Sequence, residues 1–216
     1  MIPAAGRRRL LLLITGLAGG LALTARPPAG AAQLLPKVRL VATGGTIANR
    51  SGARLSPAEL VRLAPAIARH ARIDVEALAN VASGQLTLEQ WVQLAKRVST
   101  ILGDDAECAG VVVTSGTDTL EELAYFLHLT VRSDKPVVVV GSMRPPDATV
   151  FDGAANLVAA VRVAAAPESR GRGTVVVMNE EIHGAREVTK TDAQRLDAFQ
   201  SRGGPLGVVD TDRIVF

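Results

Sequence analysis

The sequence predicts an α/β fold, a mainly parallel, doubly wound sheet with flanking helices. Three observations carry this. Short β-branched runs alternate with helix-patterned stretches from residue 38 onward, the mark of crossover units. Two runs, 110–114 (Gly-Val-Val-Val-Thr) and 136–141 (Pro-Val-Val-Val-Val-Gly), are continuously apolar, as strands covered on both faces are. Two capping boxes open helices between such runs.

In chain order, residues 38–42 read as the first strand. Ser56-Pro57-Ala58-Glu59 is a capping box with proline at the first helical position, predicting a helix to about His70. Residues 75–82 are a weaker strand. Thr87-Leu88-Glu89-Gln90 opens a second helix whose Leu88, Trp91, Val92, Ala95 and Val98 recur at helical spacing. The strands 110–114 and 136–141 flank a helix from Asp118 to about Leu129. Asp152 is placed to cap a helix through Ala154, Leu157, Val158 and Val161, and 174–178 returns as a strand. Residues 206–210 and 213–216 read as a hairpin about a Thr-Asp turn.

The 216 residues suit one domain or one and a half, too few for two full α/β domains. Aromatics at 3% argue against base-stacking nucleic-acid platforms and aromatic sugar clefts. The lone Cys108 excludes an internal disulfide or a multi-cysteine zinc site, and reads as buried filler. His70, His128 and His183 lack metal-ligand spacing and read as surface or turn residues.

The formal charge of +3 owes four positive charges to Arg7, Arg8, Arg9 and Arg26, so a chain without residues 1–31 would carry −1. Those residues have the parts of a secretory signal: a basic cluster, an apolar run from Leu10 to Leu23, and small residues ending Ala29-Gly30-Ala31. The run is about 14 residues against the roughly 20 that span a bilayer. We therefore expect residues 1–31 to be removed, with a periplasmic or secreted product and no membrane association afterwards. The paired arginines also allow the twin-arginine route.

In open parallel sheets ligands bind beyond the carboxyl ends of strands, so the loops there are the candidates. Thr43-Gly44-Gly45-Thr46-Ile47-Ala48 follows the first strand, its glycines permitting close backbone approach. It lacks the spacing of a dinucleotide or P-loop phosphate turn. Thr114-Ser115-Gly116-Thr117-Asp118-Thr119 turns a strand into a helix, and simple capping is the competing reading. Val188-Thr189-Lys190-Thr191 follows the strand at 174–178 after a charged turn and could return an amine to the strand ends; an exposed lysine is the alternative. A threonine hydroxyl needs a base to act as nucleophile, and lysine can serve when desolvated.

Together with Lys135-Pro136-Val137-Val138, Gly141-Ser142-Met143-Arg144-Pro145 and Asp152-Gly153, these motifs resemble the bacterial type II L-asparaginases over residues 38–216. The resemblance implies an amidohydrolase converting L-asparagine to L-aspartate and ammonia without cofactor or metal. It implies Thr46 as the nucleophile that forms an acyl-enzyme, with Thr117, Asp118 and Lys190 as the proton relay that activates water. Ser83 would hold the substrate α-carboxylate, Asp118 the α-ammonium, and Gly45, Gly84 and Gly116 would line the substrate site. It implies a small-molecule substrate, with glutamine as a second candidate, and a homo-oligomer, a tetramer built as a dimer of dimers.

The chain departs from the pattern in places. Family members carry a lid tyrosine, whereas residues 49–56 are short and hold none, and Tyr125 falls in a helix. Glutamine usually follows the serine; here Gly84 does, with Gln85 next. Ser115 stands where histidine is frequent. The family's smaller second domain, with an acidic residue for the substrate amine, would begin after the 206–216 hairpin. We therefore expect 32–205 to be the large domain alone. The competing functional reading is a non-catalytic amino-acid-binding remnant.

Overall fold

Strand-forming and helix-forming segments alternate as the patterning requires, and their order sets where ligands can bind. The computed structural model describes residues 34–216, so the expected leader at 1–31 lies outside the described residues. β1 spans Lys37–Gly44; a small hairpin follows, β2 (Asn49–Arg50) and β3 (Ala53–Arg54). Then come α1 (Pro57–Leu63), β4 (Arg72–Val81), α2 (Leu88–Asp104), β5 (Cys108–Thr114), α3 (Leu120–Thr130) and β6 (Val137–Val140). The chain continues through α4 (Gly153–Ala165), β7 (Thr174–Met178), β8 (Glu181–Gly184), β9 (Val188–Lys190), β10 (Phe199–Ser201), β11 (Gly207–Val209) and β12 (Ile214–Val215).

The main sheet has eight strands in the order β12-β11-β8-β7-β6-β5-β1-β4. From β4 to β7 neighbours are parallel; β8, β11 and β12 add an antiparallel edge. The chain leaves β1 for β4 on one side, then crosses to β5 on the other. That reversal makes the β1/β5 boundary a topological switch point, where a crevice opens beyond the carboxyl ends of the strands.

Period-two alternation divides the apolar residues between two layers. On one face Leu40, Val112, Val138 and Val175 pack against α1 and α4 through Leu60, Leu157 and Val161. On the other Val41, Val111, Val139 and Val176 meet α2 and α3 through Leu94, Val98, Leu123 and Leu127. The doubly wound class is as expected.

Several local expectations change. The first helix ends at Leu63, and Pro65–Arg69 is a 3-10 turn. Pro65 disfavours helical backbone at the residue before it, and Ala64 adopts φ −122°, ψ 59°. Both capping boxes form: Ser56 N–H donates to Glu59 Oε2 at 2.8 Å, and Thr87 N–H to Gln90 Oε1 at 3.0 Å. The buried stripe of α2 is Leu94, Ala95, Val98, Ile101 and Leu102, while Leu88 and Val92 are exposed. Only the later turns of α2 supply this buried stripe. The weak strand is the ten-residue β4 at the sheet edge.

The terminal hairpin forms, pairing Val208 with Val215 and Val209 with Ile214. Between β7 and the lysine loop, however, the charged stretch expected as a turn contains β8. Asn179 and Glu180, at φ 51° and 65°, make a two-residue turn whose twist suits a tight hairpin. β8 buries Ile182 and His183, so His183 is a core residue and not the surface or turn residue expected.

His183 Nδ1 lies 3.0 Å from Ser201 Oγ. Its Nε2 is 3.2 Å from Glu181 Oε2 but lacks the alignment of a hydrogen bond. Burial pushes the imidazole pKa below its ordinary 6.5, against an upward pull from Glu181. A lowered folded-state pKa means the unfolded chain binds the proton more readily, so this stability is present above about pH 6.5 and lost as pH falls below it. Urea unfolding at pH 7.5 and pH 5 should therefore show a steeper acid loss for the wild type than for His183→Gln; identical pH dependence would contradict the assignment.

Candidate active site

Three loops leave the carboxyl ends of β1, β4 and β5, and glycine lets them touch. Gly45 has φ +86°, and a Cβ placed on it would lie 2.2 Å from Gly116 N and 2.4 Å from Gly116 Cα. A Cβ on Gly116 would lie 2.8 Å from Ser83 Oγ. Hydrogen bonds fix the same seam: Gly45 N–H donates to the Val81 carbonyl at 2.8 Å, and Thr43 Oγ1 to the Thr114 carbonyl at 2.8 Å.

Each loop then enters a 3-10 turn: Thr46–Ala48, Ser83–Gln85 and Thr117–Thr119. Thr46 is half-buried, while Ser83 and Thr117 are buried. Thr46 and Thr117 each stand one residue beyond the touching glycines. Gly84 is exposed, with open space where a side chain would project. Gln85 is also exposed, and its amide oxygen accepts the Ala82 N–H at 3.4 Å.

Lys190 arrives from β9, paired with Phe199 of β10. Its ammonium donates to Thr117 Oγ1 at 2.9 Å and to Asp118 Oδ1 at 2.8 Å. The lysine side chain is only 17% exposed and that of Asp118 is 83% exposed, so the pair joins a shielded amine to an open carboxylate. The competing reading of a solvated lysine is thereby excluded.

Glu121 lies in the first turn of α3. It has two donors: Thr189 Oγ1 donates to Oε1 at 3.0 Å, and the Lys190 backbone N–H donates to Oε2. The signal available in sequence was its spacing of three residues from Asp118 at a helix start, which places both on one side.

A fourth loop, after β6, supports the second threonine. A Cβ on Gly141 would lie 3.1 Å from Thr117 Cγ2. Asp152 precedes α4, as expected, but its side chain makes no capping bond. Its carboxylate instead accepts the N–H groups of Met143 and Arg144, each at 2.9 Å, and the Asn156 amide at 3.0 Å. Asn156 also donates to the Gly141 carbonyl at 3.1 Å, completing the brace. The short segment after Thr46 forms the β2–β3 hairpin, tied to Asp147 through the Ser51 N–H and hydroxyl.

Cys108 is buried, its Sγ 3.2 Å from the Gly110 carbonyl, and burial pushes the thiol pKa up. Among the described residues no cluster of three His, Cys, Asp or Glu side chains could hold a metal ion, and no helix is long and apolar enough to cross a membrane.

Comparison with known proteins adds the following. A family model described as "Asparaginase, N-terminal" matches residues 37–216. L-asparaginase 2 of Bacillus subtilis (strain 168) is 46% identical over 187 residues, covering 82% of this chain and 49% of the relative. Glutaminase-asparaginase of Pseudomonas fluorescens biotype A is 41% identical over 185 residues, covering 81% of this chain and 51% of the relative. The crystal structure of a probable cytoplasmic L-asparaginase from Campylobacter jejuni superimposes with a TM-score of 0.79 at 40% identity, covering 84% of this chain and 56% of that one. The chain thus spans about half the length of the curated relatives it matches.

The glycine seam makes a stability prediction. Gly52 also has positive φ (+79°) but faces open space, so Gly52→Ala should cost only the left-handed strain, about 1–2 kcal/mol. Gly45→Ala must add the backbone collision with Gly116, about another 1–3 kcal/mol. Urea unfolding of both variants measures the difference, and equal losses would show that the loops do not press together.

Proposed function

The chain belongs to the asparaginase family, and from that premise we propose that it hydrolyses the side-chain amide of L-asparagine, with Thr46 as nucleophile. The observation that carries this reading is the chain Asp118–Lys190–Thr117. An amine at 2.9 Å from one threonine hydroxyl and 2.8 Å from a carboxylate is the hydrogen-bonded relay that a hydroxyl chemistry needs.

In this proposal the substrate lies across the glycine seam. Ser83 receives its α-carboxylate beside Gly84, and the exposed Asp118 carboxylate receives its α-ammonium. Both charges of a zwitterion then meet fixed partners, and the reacting carbonyl is held by position between Thr46 and Thr117. Thr46 Oγ attacks that carbon; its proton leaves with the departing ammonia, and an acyl-enzyme forms. Backbone N–H groups at the start of the Thr117–Thr119 turn are candidates to stabilise the tetrahedral oxyanion. Water, deprotonated through Thr117 and Lys190, then releases aspartate.

Glutamine is a second candidate substrate, because one extra methylene is worth only about 1–3 kcal/mol of discrimination. The name of the Pseudomonas relative is consistent with this. The proposal keeps residues 32–205 as the large domain. It also keeps removal of residues 1–31 and export, on the strength of their basic, apolar and small-residue order, although the Campylobacter relative is described as cytoplasmic. Homo-oligomeric assembly belongs to the same proposal.

The test is ammonia release from asparagine and from glutamine by the wild type, Thr46→Ala and Thr117→Ala, with circular dichroism as the control for folding. Each substitution should lower kcat by at least about 10³-fold. Wild-type-like turnover in both variants would overturn the assignment, and aspartate binding without any wild-type turnover would favour the binding-remnant reading.

A further inference from the structure

We propose that Glu121 is a positioning residue for the relay lysine, an inference that rests on the catalytic reading above. The chain approaches Lys190 from β9, a three-residue strand whose partner is the equally short β10. Outside the eight-stranded sheet, such a ribbon is weakly braced by itself. A long, flexible lysine on a loosely held strand would lose much of its time away from the threonine.

Glu121 removes that freedom at the backbone end. One carboxylate oxygen accepts the Lys190 N–H and the other accepts the Thr189 hydroxyl at 3.0 Å. At the other end the ammonium is held by Thr117 and Asp118. Thr117, Asp118 and Glu121 belong to one continuous segment that turns into α3, so lysine and threonine are fastened to the same rigid element. A carboxylate in the first turn of a helix is also favoured by the helix dipole.

The Lys190 N–H can only donate, whereas the Thr189 hydroxyl can also turn to accept. A glutamine can therefore keep both contacts, its oxygen on Lys190 and its NH₂ on Thr189, so the informative change removes the acceptors altogether. In Glu121→Ala the Lys190 N–H and the Thr189 hydroxyl both lose their partner. Shortening to aspartate keeps both acceptors but withdraws them by one methylene, so Glu121→Asp should recover part of what alanine loses. Glu122, the exposed neighbour, supplies the control for charge.

The experiment compares the wild type, Glu121→Ala, Glu121→Asp, Glu122→Gln, Lys190→Ala and the Glu121→Ala/Lys190→Ala double variant. Amide hydrogen exchange at Lys190 is followed alongside asparagine hydrolysis. Glu121→Ala should lower kcat about ten- to hundredfold with KM within about twofold, the scale on which misplacement of a catalytic group is felt. Lys190 N–H exchange should quicken at least about tenfold as its hydrogen bond is lost. Glu122→Gln should match the wild type, Glu121→Asp should fall between, and the double variant should be no slower than Lys190→Ala alone.

Unchanged kcat in Glu121→Ala beside an inactive Lys190→Ala would overturn the positioning role. So would unchanged exchange at Lys190, which needs no turnover to be read. A full further loss in the double variant would show that Glu121 acts otherwise than through the lysine. An active Lys190→Ala would instead overturn the catalytic reading on which this inference stands.

Discussion

The backbone contact between Gly45 and Gly116 governs the site. Two chain segments can come this close only where neither carries a Cβ, and here the hypothetical atom would lie 2.2 Å from a backbone nitrogen. This contact brings the carboxyl ends of β1 and β5 together at the point where the strand order reverses. Thr46 and Thr117 follow these glycines directly, so the separation of the two hydroxyl-bearing loops is set by backbone packing. The stiff parallel strands behind them transmit that geometry from the core.

A second tier of contacts surrounds the seam. Asp152 and Asn156 brace the loop after β6, whose Gly141 presses toward Thr117. Lys190 and Glu121 connect the β9 ribbon to the same threonine from another direction. The polar side chains that a helix start would ordinarily use for capping are thus diverted. Asp152 makes no capping bond and instead receives N–H groups of a neighbouring loop, and Glu121 reaches across to β9. Elements that look local in sequence are recruited to hold non-local geometry.

Much of the fold was legible because its signals are local. Uninterrupted valine runs mark strands covered on both faces, and serine or threonine three residues before glutamate or glutamine marks a helix start. What failed was decided by neighbours. The stretch from Asn179 to Glu187 reads as a charged turn, yet β8 forms because pairing with β7 buries Ile182 and His183. The buried stripe of α2 lies on its later turns because packing, and not the run of apolar letters, selects the face. Pro65 did carry its own warning, and the shortened first helix follows from it.

At the site, residue types and order in Thr-Gly-Gly-Thr, Gly-Thr-Asp and Val-Thr-Lys are properties of the sequence, and so is the family to which they point. They determine which functional groups are available and on which strand ends they emerge. Sequence spacing does not determine that Lys190 Nζ meets a hydroxyl 73 residues away, or that Glu121 receives the N–H of that same lysine. Those contacts arise only when β9 is folded back over the start of α3, because hydrogen bonds form within about 3 Å and the chain controls such distances only through the packing of the whole sheet.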